Sequence, residues 1–297
     1  MTAPTASSTS PLLWPSIGLV IGGALWGIIW LPLRALGGMG LNGAWPALVM
    51  FLGTLVVLLP FILFRIRRLS AIWLPLTLSG AFTGMAFSFY ATSISLTEVV
   101  RAVLLFYLTP VWGTALGMIF LGERLSAARV AAIVLGLGGL FVILGDAGLP
   151  IPRNAGDWLA LISGLSWAFG SLAVYRLKEP GIGEQIVAFL LGTTVVTLAS
   201  VAFGGAIFGG IPDGEALRMA APWGLLSALY VLPVLFLTIW PATLLTPGRV
   251  GLLLLSDVVV GVISAPLLTD EPFGMREAIG TVLIVSAGAV AVLERGD

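Results

Sequence analysis

Ten apolar runs, separated by short polar breaks, constrain this chain more than any motif it contains. Divided at its charges and at its Gly, Pro and Asn breaks, it yields candidate spans at 13–35, 43–64, 71–93, 100–121, 126–145, 156–177, 184–208, 220–241, 249–268 and 274–293. About 20 mainly apolar residues suffice to cross a bilayer as a helix. Only 9% of the 297 residues are charged and 59% are hydrophobic, where a soluble domain is about 25% charged. The expected class is an all-α integral membrane protein with ten transmembrane helices. MTAPTASSTSP lacks the positive n-region of a cleavable signal, so residues 1–12 are expected to be a disordered tail before an uncleaved first span.

Composition removes several kinds of chemistry. Cysteine and histidine are both absent, which excludes disulfides and metal or haem sites built on those ligands. It also leaves proton handling near neutral pH to carboxylates. The 14 basic and 14 acidic residues balance, and no basic block exists to suggest a nucleic-acid partner. GLGG at 136–139 sits inside an apolar span, with no strand before it and no Lys after it, so it is not a phosphate loop. No cofactor or metal is expected.

Orientation follows from the positive residues. With the N-terminus in the cytoplasm, Arg65, Arg67, Arg68, Arg124, Arg129, Arg176, Lys178, Arg249 and Arg295 fall inside, and Arg34, Arg101, Arg153, Arg218 and Arg276 fall outside, nine against five. Ten spans place both termini in the cytoplasm of a multi-pass cell-membrane protein.

The chain also resembles itself. An offset of 148 residues (101 to 249) lays RAVLLFYLTPVWG on RVGLLLLSDVVVG and brings Glu123 onto Glu271; an offset of 141 (23 to 164) brings Gly23 and Trp26 onto Gly164 and Trp167. Two five-helix repeats follow, 13–148 and 149–297. Because five is odd, the second copy is inverted, and inverted repeats place their substrate site near the bilayer midplane.

At that depth lies Asp257, in the middle of LLLLSDVVVGVIS. A charged side chain there costs roughly 2.5–3.5 kcal/mol on insertion scales, and such residues are functional candidates by default. It could bind a substrate amino group or exchange a proton; the plainer alternative is a helix–helix hydrogen bond, with Ser256 or a carbonyl. Pro110, beside the position equivalent to Asp257 in the first repeat, together with Pro233 and Pro266, would kink helices and free carbonyls, or serve shape alone. Trp26 and Trp30, four residues apart, would share a helix face. With Tyr90, Tyr107, Trp167 and Tyr230 they lie within the spans rather than at the interfaces, where Trp14, Trp45, Trp73, Trp158, Trp223 and Trp240 fit an aromatic belt. Buried rings with a polar atom want partners, so each either lines a cavity or packs helices. Gly23 with Gly27 and Gly113 with Gly117 read as close-packing pairs. Glu123 and Glu271 read as caps of the following helix or as partners of Arg124 and Arg276. Glu98 and Arg101 read as a surface pair at the mouth of the fourth span.

Taken together, ALWG (24–27), LTPVWG…FLGERLS (108–126) followed by VLGLGGLFVIL, and the second-half TVLIVSAGAVAVL resemble the EamA-type branch of the drug/metabolite transporter superfamily over nearly the whole chain. The second copy departs from the pattern, reading TDEPFG where the first reads LGERLS. Within the branch, the length and aromatic interior are similar to YddG-like aromatic amino acid exporters. The resemblance implies ten helices around a central cavity, alternating access, and export of small metabolites, with amino acids the leading substrates and other metabolites or drugs the alternative. Phosphorylated substrates would call for Arg or Lys at mid-depth, and no span carries one. An intramembrane hydrolase would need a nucleophile with its base, a carboxylate pair or a metal, so no enzyme is expected. A channel would need polar rings, and a non-transporting scaffold remains the bland reading. The expected partners are the substrate, the bilayer and protons.

Overall fold

The computed structural model describes residues 13–121, 126–144, 152–176, 180–245 and 247–294. Among them the chain is helical throughout, with no strand. The elements are α1 (Leu13–Gly27), α2 (Trp30–Gly37), α3 (Trp45–Val57), α4 (Leu59–Ala71), α5 (Trp73–Leu96), α6 (Val99–Phe106), α7 (Thr109–Leu121), α8 (Ala127–Leu144), α9 (Ala155–Arg176), α10 (Ile182–Phe203), α11 (Gly214–Leu226), α12 (Ala228–Ala242), α13 (Pro247–Leu268) and α14 (Met275–Glu294). A 3-10 turn, Gly205–Phe208, follows α10.

Several apolar runs from the sequence are interrupted. The first run divides into α1 and α2, the second into α3 and α4, the fourth into α6 and α7, and the eighth into α11 and α12. The α3–α4 break turns the chain by 75° and the α11–α12 break by 40°. Among the described residues three runs, Leu13–Gly37, Val99–Phe120 and Ile182–Phe203, are long and apolar enough to cross a membrane, and five are if each bent pair counts as one span. The ten-span reading therefore exceeds what length and hydropathy alone support.

Polar composition explains one of the shortfalls. α5 is 24 residues long but carries seven Ser and Thr. Their hydroxyls turn back on their own helix: Ser79 donates to Pro75 O at 2.9 Å, Thr83 to Ser79 O at 2.7 Å and Thr92 to Ser88 O at 2.7 Å. Polar atoms satisfied in this way are compatible with an apolar surround.

The helices pair in a regular way. α5 lies against α9 and α10; α1 lies against α12 and α13; α3 against α10 and α11; α6 and α7 against α9; α8 against α14. Glycine permits the closest of these approaches. A Cβ on Gly27 would stand 2.6 Å from Asp257 O and 2.8 Å from Gly261 N, so α1 and α13 touch backbone to backbone. Gly113 does not fit the packing pair expected of it, since nothing lies within 4 Å of where its Cβ would be.

Candidate functional site

The site is built around α13. Asp257 is buried, 7% exposed. The helix break at Tyr107–Leu108, between α6 and α7, brings a phenol to it: Tyr107 Oη donates to Asp257 Oδ2 at 2.6 Å. The other carboxyl oxygen, Oδ1, is buried and has no hydrogen-bond partner among the described residues. Buried polar atoms are nearly always partnered, so an acid left half open inside a helix bundle is the exception to explain.

Aromatic rings extend from this pair. Tyr107 packs edge-on against Phe106 with centroids 5.3 Å apart, and Phe106 lies 4.8 Å from Tyr90. Phe87 is the hub, 4.6 Å from Trp26, 4.7 Å from Phe189 and 5.4 Å from Trp167. The rings of Tyr90 and Tyr230 lie close enough to Asp257 to interact with it electrostatically. Tyr230 Oη donates to Leu25 O, and Trp26 Nε1 donates to Thr238 Oγ1 at 3.0 Å.

Six of the residues named from sequence are thus brought together: Asp257, Tyr107, Tyr90, Trp26, Trp167 and Tyr230. Two are not. Ser256 is directed at Val20 O (3.1 Å) and Leu253 O (2.8 Å), a helix-to-helix contact. Trp30 was expected to share a face with Trp26, but a turn at Ile28–Ile29 separates their helices. Trp30 Nε1 donates instead to Ser264 Oγ at 3.1 Å, and the Arg34 guanidinium lies over its ring at 5.5 Å. Phe87, Phe106 and Phe189 were missed, because a search for rings with polar atoms passes over Phe. Phe87 stands three residues before Tyr90 and Phe106 adjoins Tyr107, so helical spacing could have found both.

Of the prolines, Pro110 is the second residue of α7, one residue after the Tyr107–Leu108 break, and its own side chain lies outside the description. Pro233 and Pro266 lie inside α12 and α13, which run on without interruption. The break in the eighth run comes at Ser227.

A cavity of about 610 Å³ lies away from Asp257. It opens at the end of the bundle between Arg34, Asn42, Ser95, Glu98, Asp270 and Glu271. None of the eight candidate binding residues lines it. Two contacts lie between. Glu271 pairs with Arg34, and seven residues deeper Trp30 meets Ser264 on α13; Asp257 is seven residues deeper again. At 1.5 Å per residue the step within α13, from Ser264 to Asp257, is about 10 Å.

The mouth also revises three charge readings. Glu271 does not cap the helix that follows it; it pairs with Arg34. It accepts from Val99 N at 2.9 Å, capping α6 from across the bundle, while Glu277 accepts from Gly274 N at 2.8 Å. Arg101 does not pair with Glu98. Its Nε and Nη2 each lie 2.8 Å from Asp157, a fully buried carboxylate, and its Nη1 donates to Ile143 O. A bidentate fork satisfies Arg better than a flexible neighbour does. Asp157 and Glu184 are buried acids that sequence placed at span ends and so passed over. Glu123 and Arg124 lie outside the described residues. Crowding decides the state of Glu98: burial first and the Glu271 charge second push its carboxyl above the ordinary carboxylate range, while Arg101 pulls it down.

Comparison with known proteins relates this arrangement to transporters. Residues 13–145 match the profile of the EamA-like transporter family. A protein of Escherichia coli (strain K12) described as a probable amino-acid metabolite efflux pump is 25% identical over 273 residues, 88% of this chain and 89% of its own length. An uncharacterized transporter of Archaeoglobus fulgidus is 32% identical over 175 residues, 59% of this chain and 61% of its own. A solved structure described only as the crystal structure of a protein aligns with a TM-score of 0.56 at 19% identity, covering 95% of this chain and 96% of that one, and it bears on the fold alone. Residues 13–145 thus match the EamA-like transporter family, and over most of its length the chain is similar to a protein described as a probable efflux pump.

Proposed function

We propose that the protein exports small neutral amino acids, aromatic ones included, across the cell membrane by alternating access between two inverted five-helix repeats, 13–148 and 149–297. The observation that carries this reading is the open oxygen of Asp257 at the edge of an aromatic cluster. A carboxylate with one free oxygen can accept a substrate ammonium, and the faces of Trp and Tyr nearby favour both a cation and an aromatic side chain. The helix break at Tyr107–Leu108 adds backbone polar groups at the same depth, the device by which many transporters hold a substrate's carboxylate. The description of the Escherichia coli relative as an amino-acid metabolite efflux pump points the same way.

The helix pairings support the repeat. Exchanging each span with its counterpart (α1/α2 with α9, α3/α4 with α10, α5 with α11/α12, α6/α7 with α13, α8 with α14) carries α5–α9 onto α12–α1 and α5–α10 onto α11–α3. It likewise carries α1–α13 onto α9–α6, and α8–α14 onto itself. The Arg34, Glu271 and Trp30, Ser264 contacts then close the mouth above Asp257. With the N-terminus cytoplasmic, that mouth is the external one.

A second reading is favoured by one observation: among the described residues, no Lys or Arg contacts the aromatic cluster or Asp257. An organic cation needs no counter-ion beyond Asp257, so amine drugs or metabolites are the alternative cargo. The deciding experiment is flux into liposomes of labelled aromatic and aliphatic amino acids, with organic cations and sugars as unlabelled competitors, using the wild type and Asp257→Asn. Amino acid flux that competes with amino acids alone, and that the variant impairs, supports the proposal. Inhibition by cations with no amino acid flux transfers it to the second reading, and a variant equal to wild type at every pH removes Asp257 from the mechanism.

A further inference from the structure

α4 is the one long element that the transport reading leaves without a task, and its placement is unusual. It departs from α3 at 75°. At 1.5 Å per residue, it therefore advances only about 0.4 Å per residue along the α3 axis. It docks on a single turn of α10. Phe61 packs against Gly183, and Arg68 Nε and Arg65 Nη1 lie 2.9 and 3.6 Å from Glu184 Oε1. Gly183 and Glu184 belong to the first turn of Ile182–Phe203, a helix long and apolar enough to span a membrane. Contact with that one turn from Phe61 to Arg68 keeps α4 at the level where α10 enters the bilayer.

Its surface fits the same level. Leu59, Leu63 and Ile66 share a face by helical spacing and are 45%, 68% and 53% exposed, and Phe64 is 85% exposed. Trp73 and Leu74, also exposed, begin α5 directly afterwards, and Trp favours the membrane interface. The helix has no acidic residue and three arginines within four positions, against the single carboxylate of Glu184. Arg67 rises between Leu63 and Phe64 on the exposed side, with no partner among the described residues. An apolar face beside a snorkelling arginine is the form taken by helices that lie in the headgroup region.

We propose that α4 lies along one surface of the bilayer and binds anionic phosphate headgroups of lipids through Arg67, assisted by Arg65 and Arg68. Net charge selects the lipid class: three arginines share the one carboxylate of Glu184, an excess of two positive charges, and basic residues beside a membrane draw anionic lipids at about 1 kcal/mol each.

The chain has no cysteine, so single cysteines at Leu59, Leu63, Ile66 and Ser70 can carry a spin label in otherwise native protein. Depth in phosphatidylcholine–phosphatidylglycerol bilayers should change by only about 4 Å over those 11 residues, against about 16 Å for a helix along the membrane normal. Leu191, Val195 and Leu198 on α10 supply the steep reference. A gradient on α4 as steep as on α10, or labels that read water throughout, overturns the interfacial placement. For the lipid class, a fluorophore at Ser70→Cys is quenched with brominated phosphatidylglycerol or brominated phosphatidylcholine. Stronger quenching by the anionic lipid, falling about fivefold in preference with Arg67→Gln, is expected from about 1 kcal/mol per arginine. Equal quenching by the two lipids, or a preference indifferent to Arg67→Gln, overturns the headgroup assignment.

Discussion

Two buried aspartates, one at the mouth of the bundle and one in its middle, show how differently the same side chain is used. Asp157 has every oxygen occupied. Arg101 grips it with two nitrogens at 2.8 Å, Arg153 N donates to it at 2.9 Å and Thr97 Oγ1 at 3.0 Å. Asp257 has one phenol on one oxygen and, among the described residues, nothing on the other. A fully partnered carboxylate joins α6, α9 and the end of α8 into one unit, and a change there would be felt as lost structure. A half-partnered one is available to a mobile ligand. Local completeness, more than burial, separates a structural acid from a candidate binding acid.

The largest effect should follow from breaking the complete site. Asp157→Ala leaves Arg101 without its counter-ion in a nearly dry position, and removing one partner of a buried pair costs about 3–5 kcal/mol. Thermal unfolding in detergent should show a large drop, with folded yield falling in step. Adding Arg101→Met should recover much of the loss, because the stranded charge is then gone. If Asp157→Ala melts with the wild type, the mouth hub is not what holds these helices.

Asp257→Asn should give the reverse outcome. The amide keeps an oxygen for the Tyr107 proton, so the melting temperature should stay within a few degrees of wild type. Transport should fall at least about tenfold, the loss expected when a charge-assisted hydrogen bond of 1.5–3 kcal/mol to a bound ammonium is removed. A variant that unfolds while the few intact molecules transport normally would place Asp257 beside Asp157 and erase the contrast.

How much of this was legible in the sequence follows the same division. The helical class, the apolar runs and the isolated acid Asp257, which proves buried, were readable, since hydropathy and isolated charge are one-dimensional signals. The breaks at Leu58 and Ser227 were not, because the chain stays apolar through both. Arg101 was matched with Glu98, three residues away, when its partner lies 56 positions on at Asp157. Glu271 was given the helix after it, and it caps one 172 positions before it. Spacing rules reach about one helical turn, and the charges at the mouth are paired across the bundle. Asp157 hid for a simple reason: a charge at a span end reads as solvated.

Tyr107→Phe sharpens the comparison at the open site. Loss of the phenol removes a 2.6 Å hydrogen bond and leaves Asp257 with neither oxygen engaged. If Tyr107 only positions the carboxyl, affinity should weaken about fivefold, from about 1 kcal/mol for one hydrogen bond, with maximal flux little changed. Loss of all flux with unchanged substrate affinity would instead make the phenol part of the transport step itself. The two are separated by measuring concentration dependence, since a purely structural role would lower the amount of folded protein and leave apparent affinity alone.

Glu98→Gln should have the smallest effect, and its sign follows from the crowding at the mouth. Burial and the neighbouring Glu271 charge raise the Glu98 carboxyl above its ordinary value, with Arg101 opposing. The folded state therefore holds this proton more tightly than the unfolded chain does, where the value is about 4.3. Its contribution to stability is fully present below that unfolded value and is lost as pH rises through the raised folded value. Gln carries no charge to repel Glu271, so the variant should melt slightly above wild type at neutral pH, and the difference should close towards pH 4. Because Glu98 stands at the solvent edge of the cavity, salt should shrink the difference further. A variant that melts below wild type at neutral pH would mean that Glu98 is held by attraction after all, and that the mouth keeps its second acid in the manner of Asp157.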